Sequence, residues 1–435
     1  MKLSKAQGIV ITLLNIIIVA LVAVILFVPE FSVLGVFSSG EKPKDPPKED
    51  DPPVVEEPVH DKLRAPSAGK ADGIISETRL MGLGDESVVK AFFLFGSVYI
   101  FGNATVKGLD FDGYGGFICK LSEEGEIKAF SYLDGNISAA AAFGEGFIVT
   151  AERKVYFVGA DCTASVCVEQ TDGDALDVLP VNNGVVAVIS QPSGTSLKLT
   201  EYEVSEWKNG HSTRVDSAYS LKYLGCFDLG DKYVLAARAN SLPRYDSLVL
   251  YSFIAGGDGV EHSYGGDGKN IIDPYAVMPC ERGFIAACSK NGIATVLFID
   301  YSFTLYHVYS LGFTATSGCL VYSGVCYACF ESADGFITYK AEGAVKPERL
   351  RSFDGIKLCA ARSGYFIGAV EGEHGAIAVF SEDKTVLSYS VSGGIAYSFD
   401  TSGGTVRAVI SAVGGEALSH TSGGRDVYYL VLKAV

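Results

Sequence analysis

One short motif recurs along most of this chain, and its spacing limits what the chain can fold into. A glycine or lysine leads a run of apolar residues as "GSVYIF" at 96, "GFIVTA" at 146, "GVVAVI" at 184 and "KYVLAA" at 232. It returns as "GFIAAC" at 283, "GVCYAC" at 324, "GYFIGA" at 364 and "GTVRAV" at 404. The steps are 50, 38, 48, 51, 41, 40 and 40 residues, a mean of 44. A period in the forties built from strands marks a propeller with one four-stranded blade per repeat. Helical repeats of similar length need a 3.6-residue periodicity, which these runs lack. Fifty glycines beside 23 Tyr and 25 Phe, with one Trp and three Met, suit many short strands joined by tight turns.

Each unit divides into four strands. In the seventh, "IKLCAA" is the first, "GYFIGAVE" the second, "AIAVFS" the third and "TVLSYSV" the fourth. The second strand is apolar throughout, as burial on both faces requires. In the first unit "GGFICKL" is the third strand, "SEEGE" its turn and "IKAFSYL" the fourth. The last unit supplies only three strands, "IAYSFD", "VRAVISA" and "VYYLVLKAV". "DGIISETRLMG", Asp72–Gly82, has no other blade to join and is expected to pair with the final strand, removing the exposed edges. The expected fold is therefore all-β: an eight-bladed propeller over 73–435 closed by an N-terminal strand, with seven blades open because the 38-residue step is short.

The stretch "FLFGSVYIFGN" followed by "GYGGFICKLSEEGEIKAFSYLDG" resembles the repeat of secreted bacterial β-propeller proteins, and "HSYGGDG" at 262–268 echoes the end of that unit. The match is close over Phe93–Gly135 and reduces to a strand pattern elsewhere. The resemblance implies the fold and an extracytoplasmic setting. It implies no catalytic motif, since propellers carry unrelated functions.

Ahead of the repeats, Ile9–Val28 is twenty residues without a charge, about 30 Å of helix and so the thickness of a bilayer core. Lys2 and Lys5 precede it and the next cation is Lys42, which puts residues 1–8 in the cytoplasm and the rest outside. A cleaved signal peptide is the competing reading, with a shorter apolar core and a small-residue cleavage site that "PEFSVLGVFSSG" does not offer. The segment 29–72 is rich in proline and charge and reads as a linker too polar to fold. The expected arrangement is a single-pass membrane protein with the propeller outside.

The net charge of −16 argues against nucleic acid as a partner. Ten cysteines outside a membrane suggest disulfides, but Cys288 and Cys329 hold second-strand positions filled elsewhere by Ala151, Ala237 and Ala369, as small buried hydrophobes do. Cys326 and Cys329, three apart in a strand, point to opposite faces and make a poor chelate. Cys162 and Cys167 are the one pair with spacing for a local disulfide. Asp110 and Asp112 sit among glycines without the further ligands a calcium loop needs. No cofactor or metal is expected.

For binding, Trp207 in a polar hairpin and the glycine-rich stretch Gly256–Gly268, with His262 and Tyr264 at its tip, are the candidates. Asn103 and Asn136 stand in glycosylation sequons. The leading expectation is a non-catalytic binding or scaffolding module for a protein or cell-envelope ligand. The rival is a surface hydrolase or lyase acting on glycans, with carboxylates and an Arg or His converging at a channel mouth.

Overall fold

Eight antiparallel sheets of four strands each account for all but the shortest connecting pieces of the described chain. The computed structural model describes residues 74–80, 86–104, 115–181, 184–241, 245–342, 345–370, 375–382, 385–391, 393–402, 405–413 and 425–433. Segments 1–8, 9–28 and 29–72, and the Asp110 and Asp112 turn, lie outside the described residues. Among the described residues no helix is long and apolar enough to cross a membrane.

Blades 1 to 7 take residues 86–133, 137–168, 174–216, 220–265, 272–314, 317–349 and 356–390 in order, each sheet running first to fourth strand outward. All eight recurring motifs of the sequence become second strands. The first strand of each blade lies against that of the next, and Ile395–Ser402 of blade 8 lies against Glu86–Leu94 of blade 1, so the ring closes. Eight blades, not seven, are present. The 38-residue step reflects blade 2, whose third and fourth strands, Lys154–Val158 and Ala164–Val168, have five residues each.

Blade 8 takes three strands from the C-terminal region and its fourth from Ile74–Leu80, antiparallel to Asp426–Lys433, with Thr78 opposite Tyr429 and Leu80 opposite Val427. The N-terminal closing strand is thus as the sequence implies.

The core is eight apolar clusters, one at each interface between neighbouring blades. In blade 5, Phe284, Ala286 and Cys288 face blade 4, while Ile285 and Ala287 face blade 6. That is the period-2 alternation of a strand buried on both sides, and it explains why second strands contain almost no polar residues.

A register shift lies in the first strand of seven of the eight blades, for example between Val88 and Lys90 and between Leu358 and Ala360. Blade 6, with Ser317 to Ser323 paired in unbroken register to Val325–Glu331, is the exception. A bulge bends its strand and sharpens the twist, which suits strands crowded around an axis.

Candidate binding site at the closure seam

The acidic turn of blade 1 clasps the strand that closes the ring. Ser122 Oγ accepts hydrogen bonds from the Glu124 and Glu126 amides, which fixes the turn. Gly125 lies at φ +94, and a side chain there would meet Thr78 Oγ1 at 2.3 Å, so only glycine allows the approach. Across this contact Thr78 Oγ1 donates to the Gly125 carbonyl, Ser76 Oγ donates to the Glu124 carbonyl at 2.9 Å, and Tyr429 Oη donates to the Glu123 carbonyl at 2.8 Å. Burial pushes the Tyr429 phenol far up, so it stays protonated as that donor.

Beside this clasp a pocket opens between blades 7, 8 and 1, lined by Phe93, Phe95, Glu123, Arg362, Asp400 and Arg407 among others. Its walls are ends of strands and their turns. Arg362 ends the first strand of blade 7, Asp400 lies near the end of the first strand of blade 8, and Phe95 and Gly96 form the first turn of blade 1. Phe95 holds φ +54 and is 65 % exposed, an apolar ring displayed at the rim.

The charges alternate. Arg407 Nη2 lies 2.8 Å from Glu123 Oε2, Arg407 Nη1 lies 3.9 Å from Asp400 Oδ2, and Arg362 Nε lies 3.3 Å from Asp400 Oδ1. The Arg362 guanidinium also sits 6.0 Å over the Phe93 ring. Two guanidinium groups, two carboxylates and two aromatic rings therefore meet, and both carboxylates have a cation as neighbour.

A second charged group sits at the opposite ends of the first strands, between blades 4 and 5. Arg238 reaches Asp246 at 2.8 Å and Asp273 at 2.6 Å, and Asn240 Nδ2 donates to Asp246 Oδ1 at 2.8 Å. Burial first, then the Asp246 charge, pushes the Asp273 carboxyl up, against the pull of Arg238 and Lys222. Among the described residues, each group holds two carboxylates. Among the described residues no three His, Cys, Asp or Glu side chains are placed to hold a metal ion.

The residues singled out from sequence lie elsewhere. Trp207, at φ +49, is half-buried and packs on the cluster between blades 2 and 3, covering a blade edge. Gly256–Gly268 is not a projecting loop: Val260–Gly265 within it is the fourth strand of blade 4. His262 stacks on Phe303 at 3.9 Å with the rings 6° from parallel, and its Nε2 lies 3.0 Å from Ser252 Oγ. Burial, then Lys232, holds its imidazole below the usual range. Tyr264 is 8 % exposed and donates to the Phe303 carbonyl at 2.8 Å, and burial pushes its phenol far up.

Cys162 and Cys167 are free thiols. Cys162 is buried in a turn at φ +66 against the cluster of blades 1 and 2, and burial raises its pKa to about 11. Cys167 belongs to the fourth strand of blade 2 and is only half-buried. Cys326 and Cys329 do face opposite ways, toward blades 5 and 7. Of the two sequons, Asn103 has its amide engaged with the Ile137 backbone on both sides, at 3.0 and 2.7 Å, while Asn136 is exposed.

The seam pocket escaped the sequence because its parts are single residues spread from position 93 to position 407. The only local signal was the "SEEGE" turn, which reads as a solvated hairpin until the closing strand is laid beside it.

No family model matches the chain, and no curated protein matches it. Among solved structures, Sqt1 of Saccharomyces cerevisiae is similar at a TM-score of 0.54 and 10 % identity, covering 84 % of this chain and 100 % of that one. BamB of Moraxella catarrhalis is similar at 0.48 and 12 % identity, over 82 % of this chain and 96 % of that one. The computationally designed Ika8 protein stands at 0.49 and 11 %, over 80 % and 99 %. At such identities the likeness to Sqt1 shows the propeller fold alone.

Proposed function

We propose that this chain is a membrane-anchored, extracytoplasmic propeller that binds or scaffolds a protein or cell-envelope ligand and performs no chemistry on it. The observation that carries this reading is the seam pocket. An exposed Phe95 and the Arg362 and Arg407 guanidinium groups form a surface suited to recognition, while Asp400 and Glu123 are held in ion pairs with those same arginines. Aromatic and arginine side chains are the residues that most often anchor partners. The apolar run Ile9–Val28 and the cations ahead of it support the anchored, outward-facing arrangement.

The test is affinity capture from envelope extract with the full chain as bait, alongside a variant carrying Phe95→Ala and Arg362→Ala. Recovery of one stoichiometric protein by the native chain, with several-fold less by the variant, is the expected result. Retention and turnover of a polysaccharide would favour the hydrolase or lyase reading instead.

A further inference from the structure

Blade 6 holds two cysteines directly across from each other. Cys319 on its first strand pairs in register with Cys329 on its second, so both side chains leave the sheet on one face. Ser323 and Val325 flank the single turn residue Gly324 and so cannot exchange both ladder hydrogen bonds. Counting back by the alternation of an antiparallel ladder makes 319/329 a non-hydrogen-bonded pair, with Cα atoms about 4.5 Å apart. That lies within the Cα separations of about 4.4–6.8 Å that disulfides adopt.

Both thiols point toward blade 7. Cys319 Sγ lies 3.4 Å from the Leu358 carbonyl and Cys329 Sγ lies 3.6 Å from that of Ile356. The two thiols hydrogen-bond each other; that bond and then burial push the Cys319 thiol far up, while the same bond holds the Cys329 thiol below its usual range. Cys329 is buried, whereas Cys319 is partly exposed. Blade 6 is also the one blade whose first strand carries no register shift, and it is that unbroken register that sets the two cysteines opposite each other.

We propose that Cys319 and Cys329 form a reversible cross-strand disulfide, so that blade 6 is a redox-modifiable element of the ring. The oxidant is a small-molecule disulfide. Cys319, the more exposed of the two, loses its proton as it attacks one sulfur of that oxidant, forming a mixed disulfide and releasing one thiol. The Cys329 thiolate then attacks Cys319 Sγ, closing the protein disulfide and releasing the second thiol. The two protons leave on the released thiols, the external disulfide is reduced, and the protein pair is oxidised. This inference does not depend on the binding role proposed above.

The test treats the folded full-length chain with oxidised glutathione, caps remaining thiols by alkylation and maps unreduced peptides by mass spectrometry. The expected product links the Cys319 and Cys329 peptides, two hydrogens lighter than their sum, forms equally in Cys359→Ala, and vanishes in Cys319→Ser. The proposal is overturned if both cysteines remain alkylatable. It is equally overturned if Cys319 is found joined to Cys359, or if the link appears only when denaturant is added.

Discussion

The interface between blades 8 and 1 and the interface between blades 5 and 6 do the same job with different chemistry. Between blades 5 and 6 the contact is a cluster of buried residues such as Ile285, Val296, Phe298, Ala328 and Phe330, crowded by aromatic rings. Between blades 8 and 1 an apolar cluster is also present, but side-chain hydrogen bonds from Ser76, Thr78 and Tyr429 and the Arg407–Glu123 ion pair overlie it. Blades 5 and 6 are joined by the chain itself, so non-directional apolar packing suffices to hold them. The closing strand arrives from the far end of the sequence and needs directional bonds to fix its register, because a slip by one residue would turn its side chains to the wrong face.

The strongest way to break this contrast is to delete Ile74–Leu80. That leaves Asp426–Lys433 as an exposed edge beside an open seam, and the chain is expected to unfold or aggregate, read by light scattering and far-ultraviolet circular dichroism.

Next comes Arg79→Ala. Arg79 reaches the fully buried Asp426 at 2.7 Å within blade 8, and a carboxylate stranded there costs about 3–5 kcal/mol in denaturant titration. Phe298→Ala removes a fully buried ring from the apolar interface, and a loss of about 3–5 kcal/mol is expected there as well. The sharper difference between the two is their response to salt. The Phe298 variant should show the same deficit in low and high salt, whereas part of the Arg79 deficit should vary with ionic strength.

Glu123→Gln tests the rim of the clasp. The Glu123 side chain is half-exposed, so its pair with Arg407 is screened and a loss of about 0.5 kcal/mol is expected.

The smallest effect is pH-dependent and lies away from both interfaces. His262 has a folded-state pKa below its unfolded one, so the folded state takes up its proton less readily than the unfolded chain. Its contribution is therefore intact above the unfolded pKa and is lost as pH falls from there toward the folded value. His262→Phe should flatten the fall in stability between neutral and mildly acidic pH. An unchanged slope would remove His262 as its source.

Much of this architecture was legible because it rests on repetition. The glycine-led apolar runs marked every second strand, and the missing fourth strand of the last unit pointed to Ile74–Leu80. The opposite faces of Cys326 and Cys329 are legible because strand alternation alone decides them. What stayed hidden depends on neighbours distant in sequence. Tyr264 reads as a loop tip until Phe303 of the next blade is set against it. The bulges in the first strands leave no signature either, since an added residue in an apolar strand looks like any other. The seam pocket combines Phe95, Glu123, Arg362, Asp400 and Arg407, and only ring closure brings these together.

Amide hydrogen exchange across the ring tests the central claim most directly. If Ile74–Leu80 closes the propeller, its amides and those of Asp426–Lys433 should be protected together and open at the same denaturant concentration as the second strands of the middle blades. Exchange of 74–80 at the rate of free peptide, with the remaining blades still protected, would contradict it.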